Sequence, residues 1–329
     1  MAIRESLIRW VDSYQGGLSD EDSDSKVRKL SRNDLVRCIP FIGIHLGSLA
    51  VIWVGVSPVA VGLAAMAYVV RMFAVTGFYH RYFSHCAFKT SRPVQFIFAA
   101  VGATSVQRGA LWWAAHHRHH HRHSDEPDDI HSPDRMGFWW SHVLWLMSEH
   151  HFRTRTKLVR DWAKFPELVF LDRFDILVPV VFATATFALG ECLAFAAPQL
   201  GTDGWQMFVW VFVISTVVLY HCTFTINSLA HKWGSKRFKR NDESRNNWLL
   251  AILTLGEGWH NNHHHYPHSA RQGFYWWEID ITYSILWIMS KLGIVWDLKP
   301  VPQRVLDQGR QVSVKAPETN KAHRKDSNR

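Results

Sequence analysis

Apolar residues run almost unbroken over 38–54, stop at 55–58, and resume over 59–78. Two further runs cover 176–197 and 207–229. Each is about 17–23 residues long, enough for a helix to cross the hydrocarbon core of a bilayer. Backbone groups in such a segment must bond internally, so the pattern predicts four transmembrane helices. The runs at 94–106 and 138–147 are too short to span, and 274–294 is broken by Glu278, Asp280 and Lys291. These predict helices lying at the membrane surface, with Trp139, Trp140, Trp276 and Trp277 near the headgroups. The expected architecture is an all-α integral membrane protein. A polar lead-in over 1–37 precedes a membrane domain over 38–300, whose cap is built from 80–175 and 231–300. A polar tail, 301–329, is expected to lack fixed structure from Arg304 onward.

Charge adds the orientation. The chain carries 37 Lys and Arg against 28 Asp and Glu, a formal charge of +9. The turns 55–58 and 198–206 contain no Lys or Arg, whereas the lead-in, 80–175 and everything after His231 are rich in both. The positive-inside rule then places both termini and the cap in the cytoplasm, with the protein in the inner, cytoplasmic membrane. Nucleic acid is excluded as a partner, because a DNA-binding domain has no use for uninterrupted apolar segments. Four cysteines without a CxxC pair argue against a disulfide framework or a zinc–thiolate site.

Histidine supplies the candidate chemistry. Three clusters stand out: His80 and His85; His117, His120 and His121; and His260, His263 and His264. In the second and third, positions i, i+3 and i+4 share one helix face. Two such faces suggest two metal ions or one dinuclear centre. The five-residue spacing of His80 and His85 fits a loosened helix end. Neutral imidazole suits ferrous iron, and zinc more often recruits cysteine or carboxylate as well. His116 and His119 leave the register of the middle cluster open.

Together the clusters resemble the integral-membrane fatty acyl desaturases of the stearoyl-CoA desaturase type, whose pattern is HxxxxH, HxxHH and a second HxxHH. The third box lies in the string Gly256-Glu257-Gly258-Trp259-His260-Asn261-Asn262-His263-His264-His265-Tyr266-Pro267. Asn227-Ser228-Leu229-Ala230-His231 is similar to the family's NSxxH element. The resemblance covers about 38–300 and implies a di-iron site held by His80, His85, His117, His120, His121, His231, His260, His263 and His264. Asn227 would complete it through a water. His117 sets the register because Ser124-Asp125 follows at the family's distance. His116, His119 and His123 then lie beside the site or at the surface, His265 and His268 are structural or lie beside the site, and His45, His142, His150, His151, His221 and His323 receive no role. Glu257, Asp125, Asp128 and Asp129 are candidates to orient the ligating imidazoles.

The resemblance implies an oxygen-dependent desaturase that removes two hydrogens from adjacent methylenes of a saturated fatty acyl-CoA, delta-9-like, to form a cis double bond. Its cofactors would be two ferrous ions, with dioxygen as co-substrate. Neither a glycine-rich dinucleotide fold nor a haem-binding segment is visible. Electrons are therefore expected from a separate ferredoxin, rubredoxin or cytochrome b5-like carrier. Tyr68 and Met72, two to three turns before His80, are candidates to limit the substrate chain, and Trp112 and Trp113 to line its tunnel. Arg153, Arg155, Lys157 and Arg160, and the cluster Lys232, Lys236, Arg237, Lys239 and Arg240, could meet an anionic head. The alternatives are a phospholipid acyl desaturase, a di-iron hydroxylase or alkane monooxygenase, and a non-redox membrane metal-binding or transport protein. The last is disfavoured because most ionisable residues gather at span ends.

Overall fold

The computed structural model describes residues 8, 10–14 and 38–315. Most of the polar lead-in and the end of the tail, 316–329, lie outside them. The first apolar run forms α1 (Ile39–Val54) and ends at Gly55, whose φ of +68° only glycine adopts freely. Ser57 then caps α2 (Pro58–Ser84), accepting a hydrogen bond from the Ala60 amide at 3.1 Å, and Pro58 occupies the first turn. A two-residue strand β1 (Lys89–Thr90) leads into α3 (Arg92–Ala103) and α4 (Ala110–His123). After α5 (Pro166–Arg173), the chain returns through α6 (Leu177–Ala196) and α7 (Gly204–His231). The remainder comprises α8 (Trp248–Leu253), α9 (His260–His265), α10 (Ile281–Lys291), β2 (Val295–Trp296) and α11 (Gln303–Lys315). Strands β1 and β2 pair antiparallel, Lys89 opposite Trp296.

Among the described residues, α2, α6 and α7 are long and apolar enough to cross a membrane, and α1 is apolar but shorter. Their outer faces carry exposed Leu46, Ile52, Met66, Val181 and Phe195, as expected of surfaces that meet lipid. Lipid gives apolar side chains no reason to leave it, so the spans are joined by polar contacts. Arg71, in the middle of α2, is buried and donates to Thr216 Oγ1 of α7 at 2.7 Å and to the Thr104 carbonyl at 3.2 Å. His45 of α1 meets His221 of α7 at 3.2 Å, and His221 meets His142 of the cap at 3.1 Å.

The cap has an apolar core of the usual kind. Phe78, Tyr82 and Phe83 of α2 pack with Phe98 of α3, Leu111 of α4, Leu168 and Leu171 of α5 and Leu286 of α10. The Phe78 and Phe98 rings stack at 3.6 Å. Each such side chain, withdrawn from water, contributes about 1.5–3 kcal/mol. A second apolar cluster reaches part of the expected structureless tail: α11 is held where Val305 is buried with Phe238, Phe274 and Tyr275. Residues of the lead-in are docked too, with Tyr14 donating to Asp172 Oδ2 at 3.0 Å and Arg173 Nε donating to Asp12 at 2.9 Å.

Among the described residues, three helical stretches are wound as π-helix: Ala74–Ser84 at the end of α2, Trp140–Leu144, and Phe208–Ile214 within α7. The first matters most for the histidines. Its backbone bonds reach across five residues, as in His85 N to His80 O at 3.2 Å. Gly102 of α3 lies flat against Tyr79 in this stretch, and a Cβ there would overlap the Tyr79 ring. Gly102→Val should therefore displace the turn that carries His80. We expect a loss of about 1–3 kcal/mol, read as a lower melting temperature in detergent, together with reduced bound metal. A variant with unchanged melting and metal content would contradict this packing.

Candidate metal centre

Winding decides how the first histidine pair works. On an α-helix a five-residue separation turns the side chains apart, but on a π-helix it is close to one turn. The His80 and His85 rings accordingly lie 4.9 Å apart. On α4, His117 and His121 stand at i and i+4 on one side, and His120 faces another. On α9, His260 and His264 share a side and His263 points away from them. His231 closes α7.

These nine histidines assemble into two groups. His80, His85, His117, His121 and His263 form one, and His120, His231, His260 and His264 form the other; within each, the potential ligand atoms lie within 4.8 Å of one another. Each HxxHH box thus contributes to both groups, an interlacing that linear spacing does not show. His116 is turned away, its Nδ1 2.9 Å from the Trp112 carbonyl, and His119 meets the Asp128 carbonyl at 3.0 Å. The register that begins at His117 is the one whose rings converge.

The groups fit metal ions. Two imidazole nitrogens bound at about 2.1 Å and at right angles would stand about 3.0 Å apart. The Nε2 separations are 3.0 Å for His80–His263, 2.9 Å for His121–His263, 2.8 Å for His85–His117 and 3.1 Å for His231–His260. Hydrogen bonding alone does not explain this set. His263 Nε2 has a single in-plane direction for a proton or lone pair, yet two nitrogens approach it. His264 Nε2 is buried without a hydrogen-bond partner.

Acidic groups hold the opposite ring nitrogen. His231 Nδ1 faces Asp125 at 2.9 Å, His120 Nδ1 faces Asp129 at 3.2 Å, His264 Nδ1 faces Asp242 at 3.3 Å, and His80 Nδ1 contacts Glu257. A proton kept on Nδ1 leaves the Nε2 lone pair free for metal. Burial, then repulsion from neighbouring charged groups (chiefly imidazoles), holds His85, His117, His121, His260, His263 and His264 well below the ordinary histidine pKa. These rings are neutral, the form that ligates metal. His120 differs: burial acts downward, but Asp129 beside it carries its pKa upward. Burial pushes the Glu257 carboxyl up, yet His80 and Arg81 outweigh it and hold the pKa below the usual value. Arg81 is fully buried and donates to Glu257 Oε1 and Asp280 Oδ2, each at 3.0 Å.

Several of these partners carry weak sequence signals. Asp242 follows a basic run and reads as solvated, whereas Asp128 offers its backbone to His119. His131, hidden behind the acidic 125–129 stretch, forms a third group with His120 and Asp129. The chain His45–His221–His142, ending on Ser228 Oγ at 2.9 Å from His142, has no telling spacing at all.

A cavity of about 610 Å³, a size typical of small-molecule sites, reaches the centre at His117 and is also lined by Asn227. Trp112 and Trp113 line it, and it passes Gln107, whose Nε2 donates to Thr223 Oγ1 at 3.1 Å. Tyr68 and Met72 do not line it. Met72 is buried against Leu219 and Leu255, and the Tyr68 hydroxyl donates to the Leu253 carbonyl at 2.5 Å, so both brace α2 against α7 and α8. Arg153 and Lys157 are exposed and Arg155 is buried, all outside the cavity wall.

Comparison with known proteins agrees with this geometry. The family model described as fatty acid desaturase matches residues 56–292. The sn-2 palmitoyl-lipid 9-desaturase of Nostoc sp. (strain 36) is 37% identical over 221 residues, 66% of this chain and 73% of its own. The sn-1 stearoyl-lipid 9-desaturase of Anabaena variabilis is 34% identical over 269 residues, 80% of this chain and 93% of its own. The acyl-CoA C20 Delta5-desaturase of Anemone leveillei is 33% identical over 237 residues, 71% of each chain. The paired histidine groups match the di-iron site of membrane desaturases. With apolar spans, nine converging imidazoles and these relatives in agreement, the chain belongs to the fatty acid desaturase family.

Proposed function

We propose that this protein desaturates acyl chains linked to membrane lipid, forming a cis double bond at the delta-9 position. The observation that carries this reading is the cavity running from His117, in the five-histidine group, to the apolar spans. The lipid-named relatives support it. It replaces the expectation of an acyl-CoA substrate. The basic cluster expected to meet an anionic head is largely neutralised: Lys232, Lys236, Arg237 and Arg240 pair with Asp134, Glu243, Glu278 and Asp242. Iron and dioxygen supply the oxidant that removes unactivated hydrogens, a step beyond side-chain acid–base chemistry. The products are the unsaturated chain and water, with two electrons and two protons drawn from outside. Those electrons would come from a ferredoxin, rubredoxin or cytochrome b5-like carrier docking on the cap. By the charge pattern, cap and termini face the cytoplasm.

In this reading His80, His85, His117, His121 and His263 hold one iron. His120, His231, His260 and His264 hold the other, completed by Asn227 through a water. Asn227 stands four residues before His231 and lines the cavity. Trp112 and Trp113 confine the chain beside the irons and exclude water, and the Gln107–Thr223 bond fixes the wall where the cavity meets the centre.

Iron content tests the assignment. Asp125→Asn should weaken the four-histidine centre about 10- to 100-fold and lower the iron per chain, whereas His116→Ala should leave it unchanged. The reverse pattern would contradict the register and the grouping. Substrate class is tested with iron-loaded protein in vesicles, given reductant and a carrier, and offered stearoyl-phosphatidylcholine or stearoyl-CoA. Mass spectrometry should find the double bond in the lipid-linked chain at a rate at least about tenfold higher. A preference for stearoyl-CoA would overturn the lipid reading.

A further inference from the structure

The cavity that ends at His117 and Asn227 also reaches the molecular surface, and it does so among the apolar spans. Gly43, Ile44 and Gly47 of α1 line one side, and Pro179, Val180 and Ala183 of α6 line the other. Phe212 and Val213 of α7 form the floor. Gly43 and Val180 line the cavity and are exposed at the same time, so the wall is open at these positions. A side chain at Gly43 would meet no atom within 4 Å, but one at Gly47 would meet Val213 at 3.6 Å. The opening is therefore free one turn into α1 and closes against α7 about 12 Å along the helix from Ile39. Contacts elsewhere hold it ajar. His45 ties α1 to α7, and Phe41 stacks on Tyr220 of α7 at 5.5 Å.

We propose that this slot between α1 and α6 is a side entrance through which the acyl chain of a glycerolipid passes from the surrounding bilayer to the metal centre. The proposal rests on the lipid-linked reading given above and supplies its route. A chain sliding from the bilayer into the slot exchanges one set of hydrocarbon contacts for another and exposes nothing to water. The headgroup need not enter. At the start of α6, Asp175 pairs with Arg108 at 3.0 Å, and both line the cavity. This places polar groups at the membrane-surface end of α6, where an ester would come to rest. The slot is continuous with the cavity beside the irons, so an acyl chain from the bilayer is the occupant its chemistry fits.

Gly43→Trp fills the slot from a position where the fold has room, and Val180→Trp fills it from the facing helix. Gly62→Trp is the control: Gly62 is exposed on α2, outside the cavity lining, and also has no atom within 4 Å. Each variant, loaded with iron and placed in vesicles of stearoyl-phosphatidylcholine, is assayed for lipid and stearoyl-CoA desaturation. In parallel, a phosphatidylcholine bearing a diazirine on one acyl chain is photo-crosslinked and the labelled peptides are mapped. We expect both slot variants to lose lipid desaturation about tenfold or more and to lose crosslinks at 39–47 and 177–183, with iron content retained. Gly62→Trp should match the parent protein. If the parent desaturates lipid but the slot variants do so equally and crosslinks fall elsewhere, the entrance is refuted while the lipid reading stands. If the parent acts on stearoyl-CoA alone, the lipid reading fails and the entrance falls with it.

Discussion

Everything in this molecule depends on buried imidazoles being held with one nitrogen occupied and the other aimed inward. An uncharged imidazole ring can hydrogen-bond through either nitrogen, and nine of them packed together could collapse into a mutual hydrogen-bonded cluster. Asp125, Asp129, Asp242 and Glu257 prevent this by engaging Nδ1 on four rings. These carboxylates would themselves be costly to bury. Glu257 is offset by Arg81, which also ties α2 to Asp280 and to the Ala270 carbonyl. Asp125 gains the Ser132 hydroxyl at 2.5 Å and the Glu243 amide at 2.8 Å. The site is thus a set of interlocked ion pairs and hydrogen bonds that orient the rings from behind.

Two solvents shape the rest. In the spans, hydrocarbon surrounds apolar side chains whether or not helices meet, so Arg71, His45 and His221 supply the joints. In the cap, withdrawal of Phe78, Phe98, Leu111 and Leu286 from water supplies the cohesion. The metal centre lies at the seam between these regimes, where α2 and α7 leave the apolar region and end in His80, His85 and His231. That location allows a hydrocarbon chain to meet an oxygen-derived oxidant without passing through water.

Much of this was legible in the sequence, because apolar run length and histidine spacing are local signals. The runs 176–197 and 207–229 correspond to α6 and α7, and the HxxHH boxes put three imidazoles on one turn. The division of each box between two groups was not legible, since it depends on how α4 and α9 face one another. Nor was the π-winding over Ala74–Ser84, which turns a five-residue spacing into one turn. Asp242 and His131 are hidden among charged neighbours, and α11 is held by scattered contacts, chiefly Val305 and Leu306 against Phe238, Phe274 and Tyr275. Substrate class is not legible in the sequence, because a basic cluster reads the same whether its charges are free or paired.

The most direct measurement is iron-edge anomalous diffraction, or an equally resolved electron density map, of the purified protein grown with iron. Two separate peaks are expected, one enclosed by His80, His85, His117, His121 and His263 and the other by His120, His231, His260 and His264. A single peak, a peak outside both groups, or an absorption edge belonging to zinc would contradict this di-iron arrangement.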